Sequence, residues 1–473
     1  MRTLLCLILL GSNQAFATSV DWSGVYRFEF TEVHNTSLDS AVGRSKSYIL
    51  NHLGLIPKII VSDGINVVSK FEVLPNQTYK NSQLGQPLGA GLNRNINPSN
   101  APDTNTLSTQ QRTYALEVSQ LYVSVNQEYG SFLAGRAPLD FGLGITYSNG
   151  AGPFDHWQDT LDLVGFKFEI GNMFIMPIIG KQYDPSISRG SDVNDMIWHL
   201  EYDNPETESS IGVFHRTRSA KFITGDPLND VNAVNLAGTG ATKTQDWNTQ
   251  HVNIFFARGF ESVKFKFEAG FDSGNTGVKT ASLEEVKLSG YGVAGEIEFP
   301  YGTSNWNQNF KFGIVSGDDP TTSNYEGYWF DRNYDLAFIM FNHPVGQADI
   351  FRTNLQRNTD TSGNIYRTDE SVDEEAISNV VYFAPRFDYK MNDKWYWTNT
   401  IAWAQLVSKP VANADVAMDV GFEYDLGFTY KPTNRVTWVN QVGLFFPGQA
   451  WKAGAGYNNS MIYGVVSKAA ISF

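Results

Sequence analysis

The chain has 473 residues, a formal net charge of −14, 14% aromatic residues and 42 glycines, but only 18% charged side chains. An acid excess of that size excludes nucleic acid as a partner, because phosphate binding needs a basic footprint. After the first few residues no window approaches the ~18 consecutive apolar residues of a membrane helix, so helical spans are excluded as well.

The N-terminus reads as an export signal. Met1 and Arg2 give a positive start, Thr3 to Leu10 is an apolar run, and Ala15-Phe16-Ala17 is an A-x-A cleavage pattern. The run is far shorter than the ~20 residues needed to span a bilayer, so it marks a secretory signal peptide. Residues 1–17 are predicted to be removed, leaving 18–473 as one domain. Cys6 lies inside the apolar run, so the mature chain would carry no thiol, disulfide or Cys-based metal site.

From there the chain alternates apolar and polar residues with period two, the signature of half-buried strands. Tyr26, Phe28 and Phe30 alternate with Arg27, Glu29 and Thr31. The same pattern fills Val263–Asp272 and Val420–Tyr430. In chain order the predicted strands are 23–33, 46–61, 65–74, 113–127, 131–138, 161–171, 172–182, 193–203 and 209–218. They continue at 248–259, 261–272, 286–299, 308–316, 377–390, 394–407, 416–430, 434–446 and 459–473. The phases of 209–218 and 394–407 fit either face.

Connections after even-numbered strands are short, such as Ser62-Asp63-Gly64 and Lys431-Pro432-Thr433, whereas 75–112, 139–160, 219–247 and 317–376 are long. Long loops at one end, short turns at the other and an even strand count predict an all-β, transmembrane antiparallel β-barrel of about eighteen strands. Phe473 closes the last alternating strand and resembles the C-terminal assembly signal read by the barrel assembly machinery.

In lipid the sheet must close to satisfy its backbone, and about eighteen strands leave a lumen too wide for wall side chains to fill. The polar phase is predicted to line an aqueous channel. It holds Arg27, Glu29, Arg136, Lys167, Glu169, His199, Glu201, Lys264, Lys266, Glu268, Glu296, Glu298, Lys311, Arg386, Asp388, Glu423 and Asp425. Basic and acidic residues nearly balance on the strands, so the acid excess lies in the loops. An acidic mouth predicts a modest, salt-screened cation preference.

The longest loop, 317–376, is rich in aromatics from Tyr325 to Phe341 and is the candidate for an inward, pore-constricting loop. It would bring Asp318, Asp319, Asp331, Arg332 and Asp335 to the constriction. Loop 139–160, with Asp140, Asp155, His156 and Asp159, is the second candidate. Asp331-x-Asn333-x-Asp335 starts like a calcium loop, but Leu336 and Asn342 stand where an EF-hand needs Gly and Glu. The histidines show no zinc spacing, and no nucleophile elbow or phosphate loop occurs. The sequence thus gives no metal, no cofactor and no enzyme.

Residues 133–142 (LAGRAPLDFG), 317–320 (GDDP) and 330–335 (FDRNYD) carry a resemblance. The chain resembles the large bacterial porin group and, more loosely, the alginate-export barrel family, whose eighteen-stranded barrels pass a polyanion through an arginine-rich lumen. That resemblance implies Arg136 and Arg332 as pore residues and the bacterial outer membrane, with its lipid, as the location. The balanced wall and acidic loops favour passive diffusion of small hydrophilic solutes or ions over polysaccharide export. A non-conducting structural or adhesive barrel and a rim-located membrane enzyme are further alternatives. The porin resemblance also raises a homotrimer, though no interface is legible in the sequence.

Overall fold

Each long strand pairs antiparallel with its predecessor, and the last pairs with the first: Val25 lies opposite Ser472 and His34 opposite Tyr463. The computed structural model describes residues 19–41, 43–74, 86–87, 116–183, 193–221, 242–243, 246–279, 284–346, 350–351, 376–409, 417–452 and 460–473. The signal-peptide reading, strand positions 113–115, most of loops 75–112 and 219–247, and 352–375 of the longest loop lie outside these residues.

The long strands are β1 (Ser19–His34), β2 (Ser45–Ser62), β3 (Ile65–Val73), β4 (Leu116–Gln127), β5 (Gly130–Pro138) and β6 (Thr160–Ile170). Next come β7 (Met173–Tyr183), β8 (Val193–Asn204), β9 (Ser209–Ala220), β10 (Trp247–Gly259), β11 (Lys264–Lys279) and β12 (Tyr291–Phe299). The wall ends with β13 (Trp306–Val315), β14 (Val380–Lys390), β15 (Trp395–Leu406), β16 (Asp419–Thr433), β17 (Val436–Pro447) and β18 (Ile462–Ser472). Three short pieces, Gln86–Pro87, Thr242–Lys243 and Glu285–Leu288, pair beside them. The sheet is therefore a closed barrel of eighteen long strands, as the alternation predicts.

The period-two pattern becomes two faces. On β1, Arg27, Glu29, Thr31 and Val33 are buried inward, while Trp22 and Tyr26 are exposed outward. Closure leaves no free edge for the backbone of the wall. The outward face exposes Ile179, Ile211, Phe267, Phe312, Phe383, Trp403, Phe422 and Ile471. An apolar surface that wraps a whole barrel requires hydrocarbon around it. The two ambiguous strands resolve: Phe214 of β9 faces in while Ile211 and Val213 face out, and on β15 Ala402 and Ala404 face in while Trp397 and Trp403 face out.

Two boundaries differ from the pattern. β11 runs on to Lys279 instead of stopping near 272, and the predicted strand 286–299 is broken before Tyr291. The break has a partner elsewhere in the chain: Ser289 donates its N–H to the Tyr325 carbonyl, and Tyr325 donates to that of Lys287. The wall is interrupted there to hydrogen-bond the longest loop.

The apolar core lies inside the barrel, toward the long-loop end. Tyr328, Phe330, Tyr334, Phe338, Ile339, Phe341 and Phe351 cluster with wall residues Val315, Val380, Tyr382, Ala404 and Phe445. A second cluster places Leu139, Phe141 and Tyr147 against Leu161, Ile178, Ile197, Phe214 and Phe255. Two inward loops therefore fill much of the long-loop half of the lumen, where the strand pattern alone predicts water.

Candidate channel site

Wall glycines make room for the loop aromatics. A Cβ on Gly292 of β12 would lie 2.6 Å from ring atoms of both Tyr328 and Phe330. One on Gly443 would lie 2.8 Å from the Phe338 ring. Small residues on the inward phase thus let large loop rings dock on the wall.

Inward-facing wall acids then hold the loops by their backbones. Phe338 donates its N–H to Asp425 Oδ2 at 2.9 Å, and Ile339 and Met340 donate to the two oxygens of Glu423, each at 2.6 Å. Glu268 does the same for the other loop, accepting the N–H of Leu143 at 2.7 Å. Its other oxygen accepts from Asn253 Nδ2 at 2.5 Å. Arg27 donates to the Asp155 carbonyl at 2.5 Å, and Glu29 contacts His156 at 2.8 Å. Buried hydrogen bonds of this kind are strengthened by the low local dielectric and are costly to leave unmade.

Asn333 laces the two loops together. Its Oδ1 accepts the N–H groups of His156 and Trp157 at 3.1 Å each, and its Nδ2 donates to Ser148 Oγ and the Trp157 carbonyl. Asp331 N donates to the Ile145 carbonyl at 2.7 Å, and Lys46 Nζ to that of Pro344 at 2.7 Å. Where the loops meet, burial pushes the Asp159 and Asp331 carboxyls above the usual aspartate range, and the nearby Asp159 charge adds to the effect on Asp331.

The residues expected to line the pore separate into groups. Arg27, Glu29, Glu268, Glu423 and Asp425 face inward but are buried beneath the loops, so they anchor loops rather than meet channel water. Lys311 and Glu296 face inward, 3.3 Å apart, with Lys311 over the Tyr334 ring and bonded to the Asp335 carbonyl. The solvated inward charges lie toward the short-turn half. There Lys167 pairs with Glu169 at 3.0 Å, Lys264 with Glu208 at 2.7 Å and Arg386 with Asp388 at 3.0 Å. His199 lies 3.3 Å from Glu201 but packs among the Phe141, Phe174 and Phe214 rings. Lys266 and Glu298 share that inward phase on β11 and β12, opposite the outward Phe265, Phe267 and Phe299. The balanced wall is thus built mainly of neighbouring ion pairs.

Arg136 is a correction. It lies opposite Leu121 and Asp162, in phase with the outward Leu121 and Val164, whereas its neighbour Ala137 is buried inward. Its guanidinium pairs with Asp162 on the outer face, half exposed, at the long-loop rim. Arg332 stacks 4.4 Å over Trp157 beside a small cavity at the loop junction. The arginines offered by the alginate-export resemblance therefore do not form an arginine-rich lumen.

Asp318 and Asp319 are a second correction. Asp318 is buried and accepts the N–H of Glu326 at 3.0 Å, while Asp319 caps Thr321, so both shape a rim turn. Asp331, Arg332 and Asp335 do lie on the inward segment. Sequence reading missed Asn333 and Glu72. The latter is fully buried and paired with His52 and with Lys70, which also reaches Gln158 of the second loop at 2.7 Å. Glu72 sits on the inward phase of a predicted strand, which is the signal that could have found it.

No protein-family model and no curated protein matches the sequence. In fold, the chain is similar to a porin. The solved structure of a BenF-like porin from Pseudomonas fluorescens Pf-5 superposes over 96% of this chain and 98% of that one, with a TM-score of 0.50 at 10% identity. Pseudomonas aeruginosa OccK9 (OpdG) covers the same shares with a TM-score of 0.49 at 11% identity, and OccK8 (OprE) reaches 0.49 at 8%. At such identities the likeness concerns the porin fold: an eighteen-strand closed barrel with little helix.

Proposed function

We propose that this protein is an outer-membrane channel for passive diffusion of small hydrophilic solutes or ions, narrowed by its two inward loops. The observation that carries the reading is the pairing of an apolar, lipid-facing exterior with charged inward side chains in one closed wall. Ion pairs such as Lys167–Glu169 and Arg386–Asp388 keep that wall near neutral, which favours weak charge discrimination. Loop acids at the mouth supply the modest cation preference. The porin fold of the BenF-like structure supports this reading, and the outward Arg136 disfavours polyanion export. The protein acts without catalysis.

The same reading includes removal of residues 1–17, one barrel domain over 18–473, insertion by the barrel assembly machinery through Phe473, and a homotrimer. Liposomes loaded with the purified protein should swell in isotonic solutions of small neutral solutes, at rates that fall steeply with solute size. Proteoliposomes that swell no faster than protein-free vesicles would refute the reading. Crosslinking in detergent tests the trimer separately.

A further inference from the structure

Three amide side chains point out of the barrel, where the wall meets hydrocarbon. Asn51 of β2 lies opposite the outward Phe28, Asn399 of β15 opposite Leu426, and Asn440 of β17 opposite Phe428. Each is flanked on its own strand and face by apolar residues: Ile49 and Leu53, Trp397 and Ile401, Trp438 and Val442. Each Oδ1 accepts one bond from its own wall. The donors are Tyr26 Oη at 3.0 Å for Asn51, Tyr424 Oη at 2.8 Å for Asn399 and Ser467 Oγ at 2.8 Å for Asn440. Ser467 Oγ in turn accepts from Trp438 Nε1 at 2.9 Å. Among the described residues no acceptor bonds the Nδ2 group of any of the three asparagines. Hydrocarbon offers none, so an amide left bare against lipid is costly.

The three polar patches share one arc of the wall. Asn399 and Tyr424 lie on β15 and β16, Trp438, Asn440 and Ser467 on β17 and β18, and Tyr26 and Asn51 on β1 and β2. Eighteen strands divide the circumference into steps of about 20°, so the outer two patches stand about 80° apart with the third midway. Three equal cylinders in mutual contact each meet their two neighbours in directions about 60° apart. The outer patches bracket those directions, and the middle patch points to the axis between them. The arc is also large enough. Six strands about 4.8 Å apart over an apolar band about 25 Å tall present on the order of 700 Å² before side-chain relief is counted, close to the ~800 Å² that one partner gives to a stable interface.

We propose that the outward face from β15 through β18 to β2 is the contact surface between copies of this chain in a homotrimer. The inference rests on the homotrimer reading above and names its interface. The Asn399–Tyr424 patch of one subunit meets the Tyr26–Asn51 patch of the next, a head-to-tail contact that closes after three copies. The Trp438–Asn440–Ser467 patches converge on the threefold axis. An amide oxygen has two lone pairs and its own wall uses one, so opposed asparagines supply each other with the missing acceptors. Such bonds between membrane segments are individually modest, but they fix which faces meet. The small outward residues Ser467 and Ala469 of β18 let neighbouring walls approach closely.

Cysteine crosslinking of the full mature protein in native outer membranes tests the surface. The Leu53→Cys, Ile401→Cys double variant places one thiol beside each outer patch, and brief copper-phenanthroline oxidation should yield covalent dimers and trimers. An Ile211→Cys, Phe267→Cys double variant, on the exposed outward face of β9 and β11, should stay monomeric on denaturing gels. Asn51→Leu with Asn440→Leu should raise the monomer fraction on semi-native gels about tenfold, and Ser467→Trp should do so by bulk. Heat-modifiable mobility confirms that each variant is a folded barrel, and current per pore should not change. Trimers that crosslink through β9 and β11 and not through the arc would overturn the proposal and leave the homotrimer standing. Monomers alone, with every thiol pair, would sink both and leave the channel reading to the swelling assay.

Discussion

The Glu423 carboxylate on β16 accepts the backbone N–H of Ile339 at 2.6 Å, joining two residues 84 positions apart in the chain. With the Met340 bond it turns a wall carboxyl into an anchor of the longest loop. The loop is held by these main-chain donors together with the packing of its own rings on the wall.

Removing that anchor should widen the channel. Leaving a buried N–H unmatched costs about 1–3 kcal/mol, and Glu423→Ala strands two, so it should weaken loop docking by about 3 kcal/mol. Single-channel records should show larger and noisier openings, and limited proteolysis should cut the loop faster. Unchanged conductance and unchanged cleavage would show that apolar packing alone holds the loop.

Filling the seat of the loop should have a similar effect by another route. Gly292→Val puts side-chain atoms where the Tyr328 and Phe330 rings now lie. Overpacking of this kind costs about 1–3 kcal/mol, and the loop can escape the clash more readily than the barrel wall. The expected outcome is an intact, heat-modifiable barrel with raised conductance. Loss of the barrel itself would mean that the loop and wall fold as one unit.

Much of the wall was legible in the chain, because a strand buried on one face repeats every two residues whatever its partners. The inward loops were legible only as a cluster of aromatics in 325–341, since burial there depends on contacts with strands remote in sequence, such as those at Gly292 and Gly443. Arg136 misled for a physical reason. Near the rim, outside the hydrocarbon band, a polar residue no longer reports which face it is on, and the phase must be taken from Leu121 and Ala137. Asp318 misled because a carboxylate in a long loop can equally well organise a turn, as it does with Glu326.

The contact between the loops should depend on pH. Asp159 and Asp331 are both raised in the docked state, so docking is fully favoured below the ordinary aspartate range and weakens as pH rises through the raised values. Asp140, Arg216 and Arg218 also act on Asp159, and Arg332 and Asp155 on Asp331, with the cations limiting the shift. Conductance should therefore grow from mildly acid to mildly alkaline solution, and Asp331→Asn should flatten much of that rise. A profile that Asp331→Asn leaves unchanged would place the titrating group elsewhere.

Closure should depend on Phe473. Phe473 and Gly24 exchange both backbone hydrogen bonds at 3.0 Å, and the Phe473 ring covers Gly24. Phe473→Ala should lower the yield of inserted barrel severalfold while leaving the conductance of the surviving channels unchanged. Normal yield would remove Phe473 from assembly.

A solute path through the closed, loop-narrowed barrel should carry ionic current when the purified mature protein is inserted in a planar bilayer. Discrete, repeatable current steps are expected, each larger in a chain lacking residues 325–364. A membrane that stays silent after insertion of correctly folded, heat-modifiable barrels, with or without that segment, would mean that no solute path exists.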